Sequence, residues 1–500
     1  FTWVDADGQP RSTDIPLLGA HSVIIKDQTV RLDAPGTWRV TAPGAFEATV
    51  ENGSGAVVAV VTRSFMLGPH GDITLRQRVE NRAGVPLQVQ WKQYGPGDLE
   101  ADRSRYMDRR RFRFAPQIRL TTDPPQYEII GKENDLLFER GKVLDFEKRY
   151  REALVRGDAN AIGHRQLWPN QRSEERGYSL AWFGSTNRYF TLTIHRAVDP
   201  ESISPVGDRD LSEVVSEIFI QVPRVSLEDE GLVPIFTFLY SPVKEVPAAG
   251  EGAFDFGVYA GALDRDLLGA EEPFASLRMD GLIIYQMSSF CAICTFQWLA
   301  NLLILFLGLL HDYILFDWGL AIIGLVAVVR TLLHPITKKS QINMQRFQRK
   351  MSAIKPEVDK VQKRYANDPK KAQQEQMRIM KEHGVNPLQA LGCLPMFLQT
   401  PIWIALYAML YFALEIRHEP AFFGIFQAIG GWPFLADLST GDHFFGAFDE
   451  PKRFVFFNFT GINLLPILMA VVFYLQQKYL TPPPSPNMTP EQIQQQKIMR

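Results

Sequence analysis

Cysteine is scarce in this chain of 500 residues, which contains only three. Three cysteines cannot form a disulfide framework, so a scaffold stabilised by several disulfides is excluded. Cys291 and Cys294 form the sequence Cys-Ala-Ile-Cys, but they lie in an apolar stretch without the flanking residues of a redox site. We expect both to pack as small apolar side chains.

A strong excess of charge of either sign is also absent, since the net charge of −2 says little about partners. The mean hydropathy of −0.10 is that of a soluble protein, but the average conceals that the apolar residues are concentrated after residue 280. The chain begins at Phe1 without a methionine or a signal-like run, and it ends in mid-pattern. We therefore expect an excerpt of a longer protein.

Residues 1–275 have the pattern of a β domain. Apolar and polar side chains alternate over 73–79 and again over 87–91, on either side of an Asn-Arg-Ala-Gly turn signal. This arrangement predicts a β-hairpin. Apolar runs typical of buried strands lie at 57–61, 214–222 and 233–240, and the clearest helical stretch is 136–156. Many strands and few helices predict a large antiparallel β-sandwich.

A basic cluster with interleaved aromatic residues lies inside this domain, and two acidic residues, Asp102 and Asp108, interrupt it. A nucleic-acid patch is one interpretation. We favour a solvated or lipid-facing surface, because the topology derived below places the domain outside the cytoplasm. The cluster consists of Arg103, Arg105, Arg109, Arg110, Arg111 and Arg113 with Tyr106, Phe112 and Phe114.

Residues 315–337 form an apolar segment that contains a single charged residue well inside it, Arg330. Twelve Leu, Ile, Val or Phe residues between 314 and 333 favour insertion by about 5 kcal/mol, against about 3 kcal/mol for one arginine near the centre. We therefore predict a transmembrane helix. Arg330 either snorkels to the nearer interface or faces a wet cavity within a helical bundle.

Two further transmembrane helices are predicted at 385–414 and 454–480. The first contains two prolines, Pro395 and Pro401, so neighbouring helices must satisfy its freed carbonyl groups. Residues 276–314 include an apolar part of about fifteen residues, which is short for a span. We favour an amphipathic helix in the outer interface, with a spanning helix as the alternative.

The distribution of charged residues between the loops predicts the orientation of the chain in the membrane. Residues 338–384 contain thirteen Lys or Arg against five Asp or Glu, a net charge of +8, whereas residues 415–453 contain three against six. The positive-inside rule places 338–384 in the cytoplasm and 415–453 in the periplasm. The β domain, one span earlier, is then periplasmic as well, and residues 481–500 form a stiff cytoplasmic exit.

The cytoplasmic segment is predicted to be an antiparallel helical hairpin. Asp368 and Pro369 have the spacing of an N-cap and a first helical residue, Gly384 would end the second helix, and Pro356 should bend the first helix or remove one hydrogen bond. The apolar seam recurs every three or four residues, at Met344, Phe347, Met351, Ile354, Val358, Val361 and Tyr365.

The charge of this hairpin suits a solvated surface, ribosomal RNA, anionic headgroups or an acidic partner, and the sequence leaves these open. The candidate partner-binding residues are Lys338, Lys339, Arg346, Arg349, Lys350, Lys363, Arg364, Lys370 and Lys371.

Four motifs in this order resemble the YidC/Oxa/Alb family of membrane protein insertases. They read R-T-L-L-H-P-I-T-K-K-S from Arg330, K-P-E-V-D-K-V-Q-K-R-Y from Lys355, K-E-H-G-V-N-P-L from Lys381, and G-C-L-P-M-F-L-Q-T-P-I-W-I-A-L-Y from Gly392. The resemblance implies a supersandwich-like β-sandwich in the periplasm, followed by a polytopic α-helical membrane domain with a cytoplasmic helical hairpin. In bacteria with two membranes this family carries an extra N-terminal anchor and two further C-terminal spans, which we expect to lie outside this excerpt.

The resemblance also implies a function. Such proteins move nascent membrane proteins into the inner membrane through a hydrophilic groove open to cytoplasm and lipid, without covalent chemistry, metal or cofactor. The groove residues would be Arg330, Gln399 and Thr400, and the lipid-facing slide would include Met396, Phe397 and Trp403. Expected partners are nascent chains and lipids, with the ribosome and a Sec-type translocon as further candidates, and no DNA. The alternative is a polytopic transporter or channel with a periplasmic binding domain.

Overall fold

The fold is built from two compact units, Phe1–Ile284 and Tyr285–Arg500. The structure is a computed structural model. The structure describes residues 2–4, 10–12, 17–26, 28–100, 110–120, 127–130, 137–157, 165–197, 210–223, 233–285, 296–365, 368–383, 394–454 and 457–480. Cys291 and Cys294 lie outside these ranges.

The N-terminal unit consists mainly of β-strands, and its described residues also form three α-helices. The strands are β1 (Thr2–Val4), β2 (Pro10–Ser12), β3 (Ala20–Ile25), β4 (Gln28–Arg31), β5 (Arg39–Ala42), β6 (Ala45–Glu51), β7 (Val57–Leu67), β8 (Asp72–Asn81), β9 (Leu87–Tyr94), β10 (Arg111–Arg119), β11 (Tyr127–Ile129), β12 (Leu137–Glu139), β13 (Arg165–Trp168), β14 (Ser179–Thr186), β15 (Phe190–Arg196), β16 (Glu217–Gln221), β17 (Phe236–Tyr240), β18 (Lys244–Val246), β19 (Glu251–Ala253) and β20 (Phe256–Ala262). The helices are α1 (Arg140–Val155), α2 (Gln171–Arg176) and α3 (Arg265–Ala270).

Two large antiparallel sheets organise this unit. The eleven-stranded sheet has the order β11-β10-β14-β15-β20-β8-β7-β6-β5, with β12 beside β10 and β19 beside β8. The seven-stranded sheet has the order β13-β16-β17-β9-β3-β4, with β18 beside β9. Both hydrophobic cores draw residues from the two sheets: Phe114 and Ile218 share one, and Val79 and Trp91 share the other. The predicted β-rich N-terminal domain is confirmed, and its cores lie between sheets.

The predicted hairpin over 73–91 is wrong. Strand β8 pairs with β7, β19 and β20 in the larger sheet, whereas β9 pairs with β3, β17 and β18 in the smaller one. The chain therefore crosses between sheets at the Asn-Arg-Ala-Gly turn. Each strand alternates because one of its faces contributes to a core between the sheets, and alternation alone does not identify the neighbouring strand.

The solvated surface predicted for the arginine cluster is also wrong where the structure describes it. Arg110, Arg111 and Arg113 are buried. Arg110 Nη1 lies 3.3 Å from Asp98 Oδ2, and Arg113 donates a hydrogen bond to the Gly281 carbonyl. Residues 263–283 cover the face of the larger sheet beside Arg113 with a third apolar cluster, so this arginine needs an internal partner. Arg103, Arg105 and Arg109 lie outside the described residues.

The C-terminal unit is mainly helical. Its elements are α4 (Gln297–Leu310), continued by a π-helical turn (His311–Leu315), α5 (Trp318–Arg364), α6 (Pro369–Glu382), α7 (Leu394–Phe412), α8 (Ile425–Ala428), β21 (Ala447–Phe454), β22 (Phe457–Gly461) and α9 (Leu464–Leu480). The segments Gln297–Leu315 and Trp318–Lys339 are long and apolar enough to cross a membrane, and Leu464–Gln476 is a shorter apolar helix.

Helix α4 lacks the polar face of the predicted amphipathic helix. One face packs inside the unit through Ala300, Leu303 and Leu307. The exposed side presents large apolar residues, among them Trp298 and Leu305. An interfacial amphipathic helix would expose charged or polar side chains there. The apolar exposed face fits lipid contact, whether α4 spans the membrane or lies in its interface.

Two predicted boundaries differ from the structure. Helix α5 runs unbroken for 47 residues, past the expected end at 337 and through Pro335 and Pro356. The helix expected from Phe454 begins at Leu464 instead, because residues 447–461 form the hairpin of β21 and β22. The alternating sequence Phe-Asn-Phe-Thr of β22 has the period of a strand.

The predicted helical hairpin is present in its distal part. Ile354 and Val358 of α5 are buried against Ile379 of α6. The Asp368 side chain accepts a hydrogen bond from the Lys371 amide at 3.2 Å, and Pro369 begins α6, as predicted. Helix α6 ends at Glu382, and Gly384 lies outside the described residues, as do the side chains of Met344, Phe347 and Met351.

The packing of this hairpin can be tested with Ile354→Asp. Burying a carboxylate in place of an apolar side chain that is 3% exposed should cost several kcal/mol and separate the two helices. Ala353→Asp is the matched control, since Ala353 is the exposed neighbour and the added charge is the same. Limited proteolysis should cut the Ile354→Asp hairpin faster than the control, and equal cutting would contradict the packed seam.

Candidate functional site

Arg330 lies on α5, about 18 Å along the axis from Trp318, and its side chain is exposed. Twelve residues of apolar helix precede it. No described carboxylate forms an ion pair with Arg330, in contrast to Arg110 and Arg140, which share Asp98. The helix therefore presents a cation without a neutralising partner in the part of the chain that the structure describes.

An aromatic ring on another predicted span contacts this cation. The Arg330 Cζ atom lies 4.9 Å from the ring centroid of Trp403 on α7. This distance is within the range of a cation–π interaction. The structure thus brings together one residue predicted for the groove and one predicted for the lipid-facing slide.

The other predicted residues on α7 lie within one or two turns of Trp403. Thr400, Trp403 and Tyr407 are exposed and follow one another at helical spacing, so they share one face. Ala405, Ala408 and Met409 are buried within the unit. Gln399 is half-buried. The side chains of Met396 and Phe397 lie outside the described residues.

The basic residues predicted for partner binding are exposed wherever the structure describes them. Lys371 approaches Asp368 at 3.9 Å, a solvent-exposed contact that contributes little to stability. Arg349 lies outside the described side chains. The exposed members are Lys338, Lys339, Arg346, Lys350, Lys363, Arg364, Lys370 and Lys371.

Sequence reasoning missed a buried carboxylate at the start of α5. Asp317 accepts a hydrogen bond from the Leu320 amide at 2.7 Å, which caps the helix. Its other oxygen accepts from the Phe423 amide at 2.7 Å, so the same residue ties the loop after α7 to α5. A side chain at Gly319 would meet the Ala421 Cβ at 2.8 Å. An aspartate immediately before an apolar helix is a start signal that could have identified Asp317.

A second missed carboxylate, Asp442, caps α9. It accepts hydrogen bonds from the amides of Leu464 at 2.9 Å and Leu465 at 2.8 Å, and from the Phe444 amide at 3.1 Å. Burial raises the pKa of this carboxyl, but the three amide donors outweigh that effect and hold the pKa below its usual value. The cap is therefore charged at neutral pH.

The loop that carries Asp442 is organised by aromatic side chains. Phe426, Trp432, Phe434 and Phe444 contact one another, with ring centroids 4.6 to 5.8 Å apart. The Leu435 amide donates to the Asp442 carbonyl. This loop is a packed unit that joins the N-terminal ends of α5 and α9.

Residues 309–500, which include Arg330, the basic hairpin and the face of Trp403, match the family described as 60Kd inner membrane protein. The resemblance to the YidC/Oxa/Alb insertases is thereby confirmed over residues 309–500.

Individual proteins similar to this chain carry the name membrane protein insertase YidC. The membrane protein insertase YidC of Mannheimia succiniciproducens is 33% identical over 258 residues, which are 52% of this chain and 38% of that protein. The YidC of Campylobacter jejuni is 32% identical over 51% of this chain and 38% of its own length. The YidC of a Jannaschia species is 29% identical over 61% and 46%. The chain therefore spans less than half the length of these relatives.

A solved structure from Escherichia coli K12, provisionally described as an aldose 1-epimerase, is 10% identical over 49% of this chain and 81% of its own, with a TM-score of 0.23. At this score, the likeness carries no argument about this protein.

The Asp442 cap can be tested with Asp442→Ala. Replacing a helix cap with alanine costs about 0.5 to 2 kcal/mol, so hydrogen exchange at the Leu464 and Leu465 amides should accelerate by about two- to thirtyfold. Glu419→Ala is the control, because it removes the same charge from an exposed side chain of the same loop. Because the folded pKa is lowered, the wild-type cap should persist at neutral pH and be lost as the pH falls through that pKa. Equal exchange in both variants would refute the cap.

Proposed function

We propose that this protein is a membrane protein insertase of the bacterial inner membrane. It moves nascent membrane proteins into the bilayer through a hydrophilic groove that is open to the cytoplasm and to lipid. One observation carries the proposal: Arg330, in the region that belongs to the insertase family, is exposed on an apolar helix and has no carboxylate partner among the described residues.

The chemistry of insertion explains why such a cation is useful. A substrate's polar tail must enter hydrocarbon, where each unsatisfied polar group costs several kcal/mol. A wet groove reaching part of the way through the bilayer shortens that barrier. A fixed cation in the groove attracts acidic residues of the tail, since Coulomb attraction is stronger where water is partly excluded. The proposed process breaks no covalent bond and requires no cofactor.

The face formed by Thr400 and Trp403 gives the groove a second wall. Thr400 is exposed one turn before Trp403 on α7, and Trp403 contacts Arg330. Gln399 is the second polar candidate on this helix. The apolar segment of the substrate would follow the lipid-facing side of α7, which includes Met396 and Phe397.

The proposed topology follows from charge. Residues 338–384, with a net charge of +8, belong to the cytoplasm, and residues 1–275 and 415–453 belong to the periplasm. The eight exposed candidate partner-binding residues of α5 and α6 named above, which do not include Lys360, suit ribosomal RNA at the membrane exit. Nascent membrane proteins are the proposed substrates, lipids surround the spans, and the ribosome and a Sec-type translocon are the proposed partners.

The proposed role of Arg330 is tested by inserting two matched substrates, one with an acidic tail and one with a neutral tail. Arg330→Leu should slow insertion of the acidic-tail substrate about tenfold, which corresponds to about 1.4 kcal/mol of lost attraction. Arg330→Lys should retain most activity, because a long-range attraction depends on charge more than on the planar guanidinium.

Lys360→Leu is the control, since it removes one exposed cation from the hairpin end of the same helix. Lys360→Leu should leave the insertion rates of both substrates unchanged. Equal rates for wild type and both Arg330 variants on both tails would refute the groove. Equal loss on both tails in Arg330→Leu would remove charge attraction as the mechanism.

A further inference from the structure

The aromatic partner of Arg330 differs in kind from a carboxylate partner. A carboxylate would neutralise the guanidinium and occupy its N–H donors. An aromatic ring attracts the cation without neutralising it, and the ring has no oxygen acceptor that would occupy the guanidinium N–H donors. The 4.9 Å separation between Arg330 Cζ and the Trp403 ring centroid therefore orients the arginine without consuming what an acidic substrate would recognise.

The same contact opposes snorkelling. Arg330 lies eight residues before Lys338, about 12 Å along the helix axis. A long arginine side chain can extend toward the nearer interface when nothing retains it. Trp403 is on a different helix, so holding the guanidinium against its ring keeps the charge between α5 and α7.

Two properties of Trp403, its indole ring and its position, suit it to holding the Arg330 guanidinium between α5 and α7. Tryptophan gives the strongest cation–π interaction of the aromatic residues. Trp403 remains 36% exposed. Arg330 is exposed as well, so the contact leaves the guanidinium accessible. Arg330 covers one face of the Trp403 ring, so that face is less available for contact with an apolar segment of the substrate.

We propose that Trp403 is a positioning residue for insertion: it holds Arg330 between α5 and α7 in a charged, donor-ready state until an acidic side chain of the substrate tail replaces the ring. This inference rests on the proposed function and assigns Trp403 a role in selecting acidic tails, beyond the slide role expected for it.

A double-mutant cycle tests the proposal in the full chain, with the acidic-tail and neutral-tail substrates. Trp403→Leu should slow insertion of the acidic-tail substrate about two- to fivefold, the range for a partly exposed cation–π contact. Any loss on the neutral-tail substrate should be smaller, because it reflects only the wall contact of Trp403, and Trp403→Phe should restore part of the acidic-tail loss. In an Arg330→Leu background, Trp403→Leu should slow the acidic-tail substrate no more than the neutral-tail substrate.

Equal loss on both tails, or full additivity with Arg330→Leu, would overturn the proposal and leave Trp403 as a slide residue. If Arg330→Leu itself had no effect, the groove proposal would fail instead, so the two failures are distinguishable.

A second measurement does not depend on insertion. The chain has nine tryptophans, and fluorine NMR of the protein labelled with 5-fluorotryptophan can resolve them, with Trp403→Phe assigning the resonance. Arg330→Leu should shift the Trp403 resonance, whereas Lys360→Leu should not. An unmoved Trp403 resonance in Arg330→Leu would overturn the contact on which the proposal rests.

Discussion

The structure depends on one constraint, which is that an arginine on an apolar helix needs either water or a partner. Arg330 has no carboxylate partner among the described residues, and its guanidinium contacts the ring of Trp403. A charge at membrane depth is costly unless it faces an interior cavity. The proposed groove follows from this constraint, because water in such a cavity would solvate the cation from the side that α7 does not cover.

The rest of the C-terminal unit fixes the helices that present this cation. Asp317 caps α5 and also accepts a hydrogen bond from the loop after α7, and Asp442 of that loop caps α9. The aromatic cluster around Trp432 gives the loop a packed core. At the other end, α5 continues without a break into the hairpin. One helix therefore carries both Arg330 and basic residues of the hairpin.

Sequence reasoning succeeded where the signal is local. The β-rich first half, the cap at Asp368 and the buried positions Ile354 and Val358 were all readable from period and spacing. It failed where the signal is tertiary. Alternation over 73–91 could not reveal that β8 and β9 belong to different sheets, and the arginines of β10 looked solvated because their covering segment lies far along the chain. The contact between Arg330 and Trp403 joins residues 73 positions apart, and no pattern in the sequence pairs them.

Water access beside Arg330 tests the central claim most directly. In a cysteine-free background, Ala327→Cys lies on the same face of α5 as Arg330 but one turn farther from the hairpin, and Leu332→Cys lies on the opposite side, nearer the hairpin. Both positions are exposed. A membrane-impermeant maleimide applied from the cytoplasm should label Ala327→Cys faster than Leu332→Cys, because the groove admits water past the level of the arginine on one face only. Faster labelling at Leu332→Cys, the order expected from depth alone, would contradict the groove.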